Sequence, residues 1–226
     1  MSLPTHFTPI KICGLTREQD VDAAVQAGVQ AIGFVLYERS PRHVSAARAA
    51  ELALRLPAFV NPVLLVVNAS ESAIEAACAA VPGAWLQFHG DENPAFCQRV
   101  AQRLGRRWLR AARIPLDESA PAFDLVKYTA DYQHAHALLL DAHVEGYGGG
   151  GKAFNWSRLP TSVNAHLVLS GGLTPANVGD GLRALRSRGL SLGVDVSSAV
   201  ESAKGIKDAA LIRDFVAAVR AADQQG

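Results

Sequence analysis

Cysteine is scarce in this sequence. Cys13, Cys78 and Cys97 are the only three, and none forms a C-x-x-C pair, so neither a disulfide framework nor a cysteine-rich zinc site is on offer. The histidines other than His89 (His6, His43, His134, His136, His143 and His166) lack ligand spacing as well and read as surface or loop residues. Charge of one sign is equally lacking: 22 basic residues stand against 21 acidic ones, a formal net charge of +1. Such a balance gives no field to hold a polyanion and argues against nucleic acid as a partner. No apolar run approaches the roughly 20 residues of a membrane helix, and the opening MSLPTHFTP lacks a signal-peptide core. We therefore expect a cytoplasmic protein that engages neither membrane nor nucleic acid. What the sequence does have is apolar content, 49% over 226 residues, enough for one substantial core and too much for disorder.

That content falls into eight short runs rich in Val, Ile and Leu. They are Ile10–Gly14, Ala31–Leu36, Val63–Val67, Ala84–His89, Trp108–Ala112, Ala137–Ala142, His166–Ser170 and Leu192–Val196. Near-continuous apolarity bounded by turn residues marks strands buried on both faces. Between the runs lie stretches of helical period with capping chemistry at their starts. Thr16 with Gln19 reads as a capping box, Ser45 and Asp208 as single caps, and Asn93-Pro94 and Thr174-Pro175 as caps followed by a first-turn proline. A fifth helix belongs within Ser119–Tyr132, where Pro121 limits its start. Alternating strands and helices mean parallel pairing with right-handed crossovers, and eight units favour a closed (β/α)8 (TIM) barrel as one domain over residues 1–226. An open dinucleotide-binding sheet is the competitor, but Cys13-Gly14-Leu15-Thr16 stands where its G-x-G-x-x-G turn would be.

In such a barrel, chemistry sits where strands end. Lys11 and Cys13 are two apart and share a face, so an ammonium neighbours the thiol and is expected to lower its pKa; the alternative is an inert buried cysteine, which is how Cys78 and Cys97 are read. Asp141 closes the apolar run Leu138-Leu139-Leu140, where partial desolvation would suit it to general-acid work, unless backbone amides of the following loop simply tie it down. Asp195 on the last strand neighbours the first strand and can pair with Lys11. His89 can donate to a substrate or satisfy a core hydrogen bond, and both readings stay open.

Three loops suit an anion. Ser170-Gly171-Gly172-Leu173 follows the seventh strand and Ser197-Ser198 the eighth, where Ser198 and Glu201 read as a second capping box for a short helix. Gly148-Gly149-Gly150-Gly151-Lys152, after the sixth strand, can close over the same group. Loops after strands seven and eight with an extra helix N-terminus form the phosphate site common in these barrels.

Taken together, Lys11-Ile12-Cys13-Gly14-Leu15-Thr16, Ser40-Pro41-Arg42, Gln87-Phe88-His89-Gly90, Leu139-Leu140-Asp141 and Val194-Asp195-Val196-Ser197-Ser198 resemble the phosphoribosylanthranilate isomerases of tryptophan biosynthesis, in order along nearly the whole chain. The resemblance implies a cofactor-free, metal-free Amadori rearrangement of phosphoribosylanthranilate. It assigns Asp141 as general acid and Cys13 as general base. Lys11, Arg42, His89 and Asp195 would lie around the substrate, with Arg42 on the anthranilate carboxylate. Gly149, Gly150, Gly171, Gly172, Ser197 and Ser198 would bind the phosphate. Ala199 and Gly150 depart from the family pattern, which has glycine and serine or threonine there. A small-molecule substrate and a monomer or homodimer are implied. The competing readings are the related isomerase of histidine biosynthesis, which uses two aspartates, a Schiff-base aldolase acting through Lys11, and a sugar-phosphate-binding barrel without activity.

Overall fold

The computed structural model describes residues 7–117, 119, 121–142 and 153–225. Eight parallel strands close into a barrel in chain order: β1 (Ile10–Cys13), β2 (Ala31–Val35), β3 (Asn61–Val66), β4 (Trp85–Phe88), β5 (Trp108–Ile114), β6 (Ala137–Ala142), β7 (His166–Leu169) and β8 (Ser191–Val196). The helices are α1 (Glu18–Gln26), α2 (Ala46–Ala53), α3 (Glu71–Ala80), α4 (Pro94–Arg103), α5 (Leu125–Asp131), α6 (Val178–Leu185) and α7 (Ala209–Gln225). Each expected strand is present, within a few residues of its expected bounds. The connection from β6 to β7 differs: among the described residues it carries one 3₁₀ turn, Trp156–Arg158, with Asn155 capping it and Pro160 just beyond. Among the described residues no helix is long and apolar enough to cross a membrane.

Strand alternation sorts the side chains into two cores. Ile10, Ile12, Ile32, Phe34, Leu64, Leu86, Phe88, Leu138, Leu140, Leu167, Leu169 and Val194 belong to the large cluster under the helices. Their neighbours in sequence face the barrel axis, where Val63, Leu109 and Ala137 fill the lower interior and Cys13, Val35, Leu65 and Val67 the upper. Fully burying each such aliphatic side chain contributes about 1.5–3 kcal/mol. The same period of two turns Lys11, Gln87, Asp141 and Asp195 inward, so the polar residues of the strands converge on one end of the axis.

Helix starts are local where local chemistry suffices. Ser45 accepts from Arg48 N at 3.1 Å, Asn93 from Phe96 N at 2.9 Å and Asp208 from Ala210 N at 2.7 Å, as the sequence leads one to expect. Two expected caps are not made. Thr16 Oγ1 instead donates to Gly205 O, and Arg17 occupies the N-cap of α1 without a side-chain bond. Thr174 does not cap α6, which starts three residues later behind Asn177. The ring is latched between its first and last segments: Asp223 on α7 accepts from Thr8 N (2.9 Å), Thr8 Oγ1 (2.6 Å), Arg186 (2.8 Å) and Arg220 (3.1 Å).

Candidate active site

The C-terminal ends of the strands open into a cavity that both Cys13 and Asp141 line. His89, Asp195, Arg42 and the turns at Ser170-Gly171-Gly172 and Ser197-Ser198 also line it. Gly149 and Gly150 lie outside the described residues. Lys11 does not line the cavity. It sits beside Cys13 within the barrel, and Lys11 Nζ donates to Asp195 Oδ1 at 2.9 Å. Register explains the pair, because Lys11 is opposite Asp195 in the β1–β8 ladder. Ser170 Oγ donates to the other Asp195 oxygen at 3.2 Å.

The thiol departs from what the sequence suggests. Burial, the largest influence, pushes Cys13 above the ordinary thiol range, and the opposing pull of Lys11 does not offset it. Lys11 itself is held above the usual lysine range, since Asp195 and Cys13 outweigh its own burial. The site therefore holds a thiol beside a firmly charged ammonium. Gly33 makes room for both groups: a Cβ there would come within 2.7 Å of Cys13 Sγ and 3.0 Å of Lys11 Nζ.

Asp141 is reached from β4. Gln87 Nε2 lies 3.0 Å from His89 Nδ1, and His89 Nε2 lies 3.1 Å from Asp141 Oδ2. With the Gln87 amide nitrogen donating, the ring proton falls on Nε2, which donates to Asp141. The second Asp141 oxygen accepts from Ala142 N at 3.0 Å. His89 is held by its backbone and by the loop behind it, where Arg110 donates to Phe88 O (3.0 Å), Gly90 O (2.9 Å) and Glu92 (3.0 Å). Gly171 packs against Asp141 with φ +73°, and a Cβ there would meet Ala142 N at 2.4 Å and Asp141 Oδ1 at 2.8 Å, so the turn after β7 runs directly against this residue.

These turns owe their shape to residues that the sequence alone did not single out. Asn177 accepts from Thr174 N (2.8 Å) and donates to Gly172 O (3.0 Å), fixing the glycine turn. The helix expected after Ser198 is a single 3₁₀ turn, Ser198–Val200, without a side-chain cap. Glu201 is not the far end of a capping box; it is bonded to Arg42 and Lys207. A short antiparallel hairpin, β9 (Glu201–Ala203) with β10 (Ile206–Lys207), presents it.

Residues 10–218 match the family model described as N-(5'phosphoribosyl)anthranilate (PRA) isomerase. The chain belongs to that family. A relative from Methylibium petroleiphilum named N-(5'-phosphoribosyl)anthranilate isomerase is 60% identical over 216 residues, 96% of this chain and 95% of its own. The crystal structure of phosphoribosyl anthranilate isomerase from Thermotoga maritima superposes with a TM-score of 0.78 at 32% identity, covering 95% of this chain and all of that one. A second isomerase structure, in complex with reduced 1-(o-carboxyphenylamino)-1-deoxyribulose 5-phosphate, gives 0.75 at 29% identity, with 95% and 100% covered. Within this phosphoribosylanthranilate isomerase family chain, Cys13, Asp141, Arg42 and the turns at Ser170-Gly171-Gly172 and Ser197-Ser198 face one cavity.

Proposed function

We propose that the chain isomerises N-(5'-phosphoribosyl)anthranilate to 1-(2-carboxyphenylamino)-1-deoxyribulose 5-phosphate, a step of tryptophan biosynthesis. The observation that carries this reading is the placement of a buried thiol and a carboxyl group in the lining of one cavity, together with serine–glycine turns. Asp141 gives its proton to the furanose ring oxygen as the C1'–O bond breaks, and the anilino nitrogen lone pair forms the iminium. Cys13, as thiolate, takes the C2' proton onto sulfur; the electron pair of the broken C2'–H bond becomes the C1'=C2' bond of an enolamine, and the iminium π pair returns to nitrogen, which is neutralised. Return of a proton to C1' and loss of the C2' hydroxyl proton give the ketone. Every step moves protons within one substrate, so the reaction calls for no redox partner.

The raised thiol pKa fits this order of events. A thiol of ordinary pKa is only a few per cent ionised at neutral pH, and Cys13 is less so. The cationic iminium forms first, favours the thiolate and acidifies C2'–H, so base and carbon acid are activated together. Arg42 takes the anthranilate carboxylate, for which a planar guanidinium is suited. Gly171, Gly172, Ser197 and Ser198 take the phosphate, joined in this reading by Gly149 and Gly150. Three unpaired cysteines suit a reducing compartment, and we place the enzyme in the cytoplasm as a monomer or homodimer.

Loss of anthranilate fluorescence on mixing freshly made phosphoribosylanthranilate with the protein tests the activity. Cys13→Ala and Asp141→Asn are expected to lower turnover by about 10² to 10⁴ while inorganic phosphate still binds. Wild-type turnover in either variant removes that residue from the mechanism.

A further inference from the structure

Behind Arg42 a carboxylate is buried between two cations. Arg42 Nε and Nη2 donate to Glu201 Oε1 and Oε2 at 2.7 and 2.8 Å, and Lys207 Nζ donates to the same Oε1 at 2.7 Å. The Arg42 and Glu201 side chains are 10% and 5% exposed and that of Lys207 is wholly covered. Lys207 also donates to Ser197 O at 2.9 Å, which anchors the hairpin independently of Glu201. The three groups sum to one positive charge at the cavity wall, and a buried net charge is costly until an anion answers it. Glu201 draws on one edge of the guanidinium, Nε with Nη2. Nη1 takes no part in this grip, and Arg42 lines the cavity.

We propose that Glu201 is a positioning residue for Arg42: by gripping the Nε edge it aims the other edge at the substrate carboxylate and makes the site selective for an arylamine that bears one. The inference rests on the isomerase reading above. A free arginine side chain samples many rotamers, whereas one clamped by two parallel hydrogen bonds presents its remaining donors already oriented. Glu201 itself touches no reacting atom. Its hold on substrate passes through Arg42 alone, so its effect vanishes when Arg42 is gone.

The test compares wild type, Glu201→Gln, Arg42→Ala and the double variant in steady-state turnover of phosphoribosylanthranilate, with inorganic phosphate binding measured alongside. Glu201→Gln is expected to raise KM about 10- to 100-fold, as for truncation of a buried charge pair, with kcat within about threefold and phosphate affinity within about twofold. In the Arg42→Ala background the same change is expected to move KM by no more than about twofold. Penalties that multiply, an unchanged KM, or a parallel fall of kcat and phosphate affinity overturn the proposal. If Glu201→Gln does not fold, Glu201→Asp, which keeps the charge on a shorter arm, is read in the same way and is expected to give an intermediate KM. The Arg42 Nε–H resonance of ¹⁵N-labelled protein supplies a readout without turnover: slow to exchange in wild type and faster in Glu201→Gln, which keeps one acceptor but loses the charge and the bond to Nη2. An inactive wild-type chain with that signature refutes the isomerase reading and supports the clamp. An active one whose KM ignores Glu201 refutes the clamp alone.

Discussion

Replacing Gly33 by alanine adds one methyl group inside the barrel, beside Cys13, the proposed base. The new carbon would lie 2.7 Å from Cys13 Sγ, 3.0 Å from Lys11 Nζ and 3.2 Å from Cys13 Cα. Ordinary non-bonded approach is about 3.5–4.0 Å, so the sulfur must retreat by about 1 Å. Lys11 has little room to give, because its ammonium is bonded to Asp195 at 2.9 Å. A displacement of about 1 Å in a reacting group costs about 10²-fold in rate. Arg42 and the turns proposed to take the carboxylate and phosphate lie elsewhere on the cavity lining, so kcat is expected to fall about 100-fold with KM nearly unchanged. Overpacking of this kind also costs about 1–3 kcal/mol of stability, which for a chain of this size lowers Tm by about 2–4 °C per kcal/mol. Steady-state fluorescence assays well below the melting temperature, with circular dichroism to confirm folding, separate the two effects. Wild-type kcat in Gly33→Ala, or a KM that worsens in step with kcat, would refute the argument that thiol placement is what this glycine protects.

Three further outcomes follow from other parts of the molecule. Asp223→Ala removes the acceptor shared by Thr8, Arg186 and Arg220 and is expected to cost about 3–5 kcal/mol, or about 6–20 °C in Tm, leaving kcat at room temperature intact; thermal denaturation decides it. Burial pushes the Cys97 thiol up from 9.0 to about 12. Above pH 9 the unfolded chain then loses this proton while the folded chain keeps it, so the contribution is full below pH 9 and is lost as pH rises towards 12, with a slope of about 1.4 kcal/mol per pH unit. Cys97→Ala should flatten that slope in urea titrations between pH 9 and 10.5, and an unaltered slope assigns the alkaline loss to other groups. His89→Leu deletes the bond to Asp141 and is expected to lower kcat about 2- to 10-fold, the worth of an ordinary hydrogen bond; unchanged turnover would reduce His89 to packing.

The strands were legible because each is buried on both faces and so reads as an unbroken apolar run, and the period of two then assigns Lys11 and Cys13 to one side without any structure. Caps at Ser45, Asn93 and Asp208 were legible for the same reason of locality. Thr174 failed locally, because α6 starts behind Asn177 three residues on. The capping-box errors are of another kind: Thr16 with Gln19, and Ser198 with Glu201, have the right spacing, but Thr16 bonds to Gly205, 189 residues away, and Glu201 to Arg42, 159 residues away. Spacing rules see four residues and cannot weigh a partner that only barrel closure brings near. The thiol was misjudged by a similar omission. Lys11 is visible two positions from Cys13 in the sequence, whereas the burial that outweighs it comes from neighbouring strands and the barrel core.

The bonds around the base span almost the whole chain. Lys11 meets Asp195, and Ser197 Oγ donates to Cys13 O, each across 184 residues. Neither exists until β8 docks beside β1, which makes them among the slowest contacts to find by loop search. A chain released early by the ribosome, or a refolding intermediate with an open seam, therefore lacks the oriented lysine and the tethered cysteine whatever else it has formed. Regain of turnover after dilution from denaturant consequently times the sealing of the cylinder, and helical circular dichroism recovered before it reports a species still unable to work.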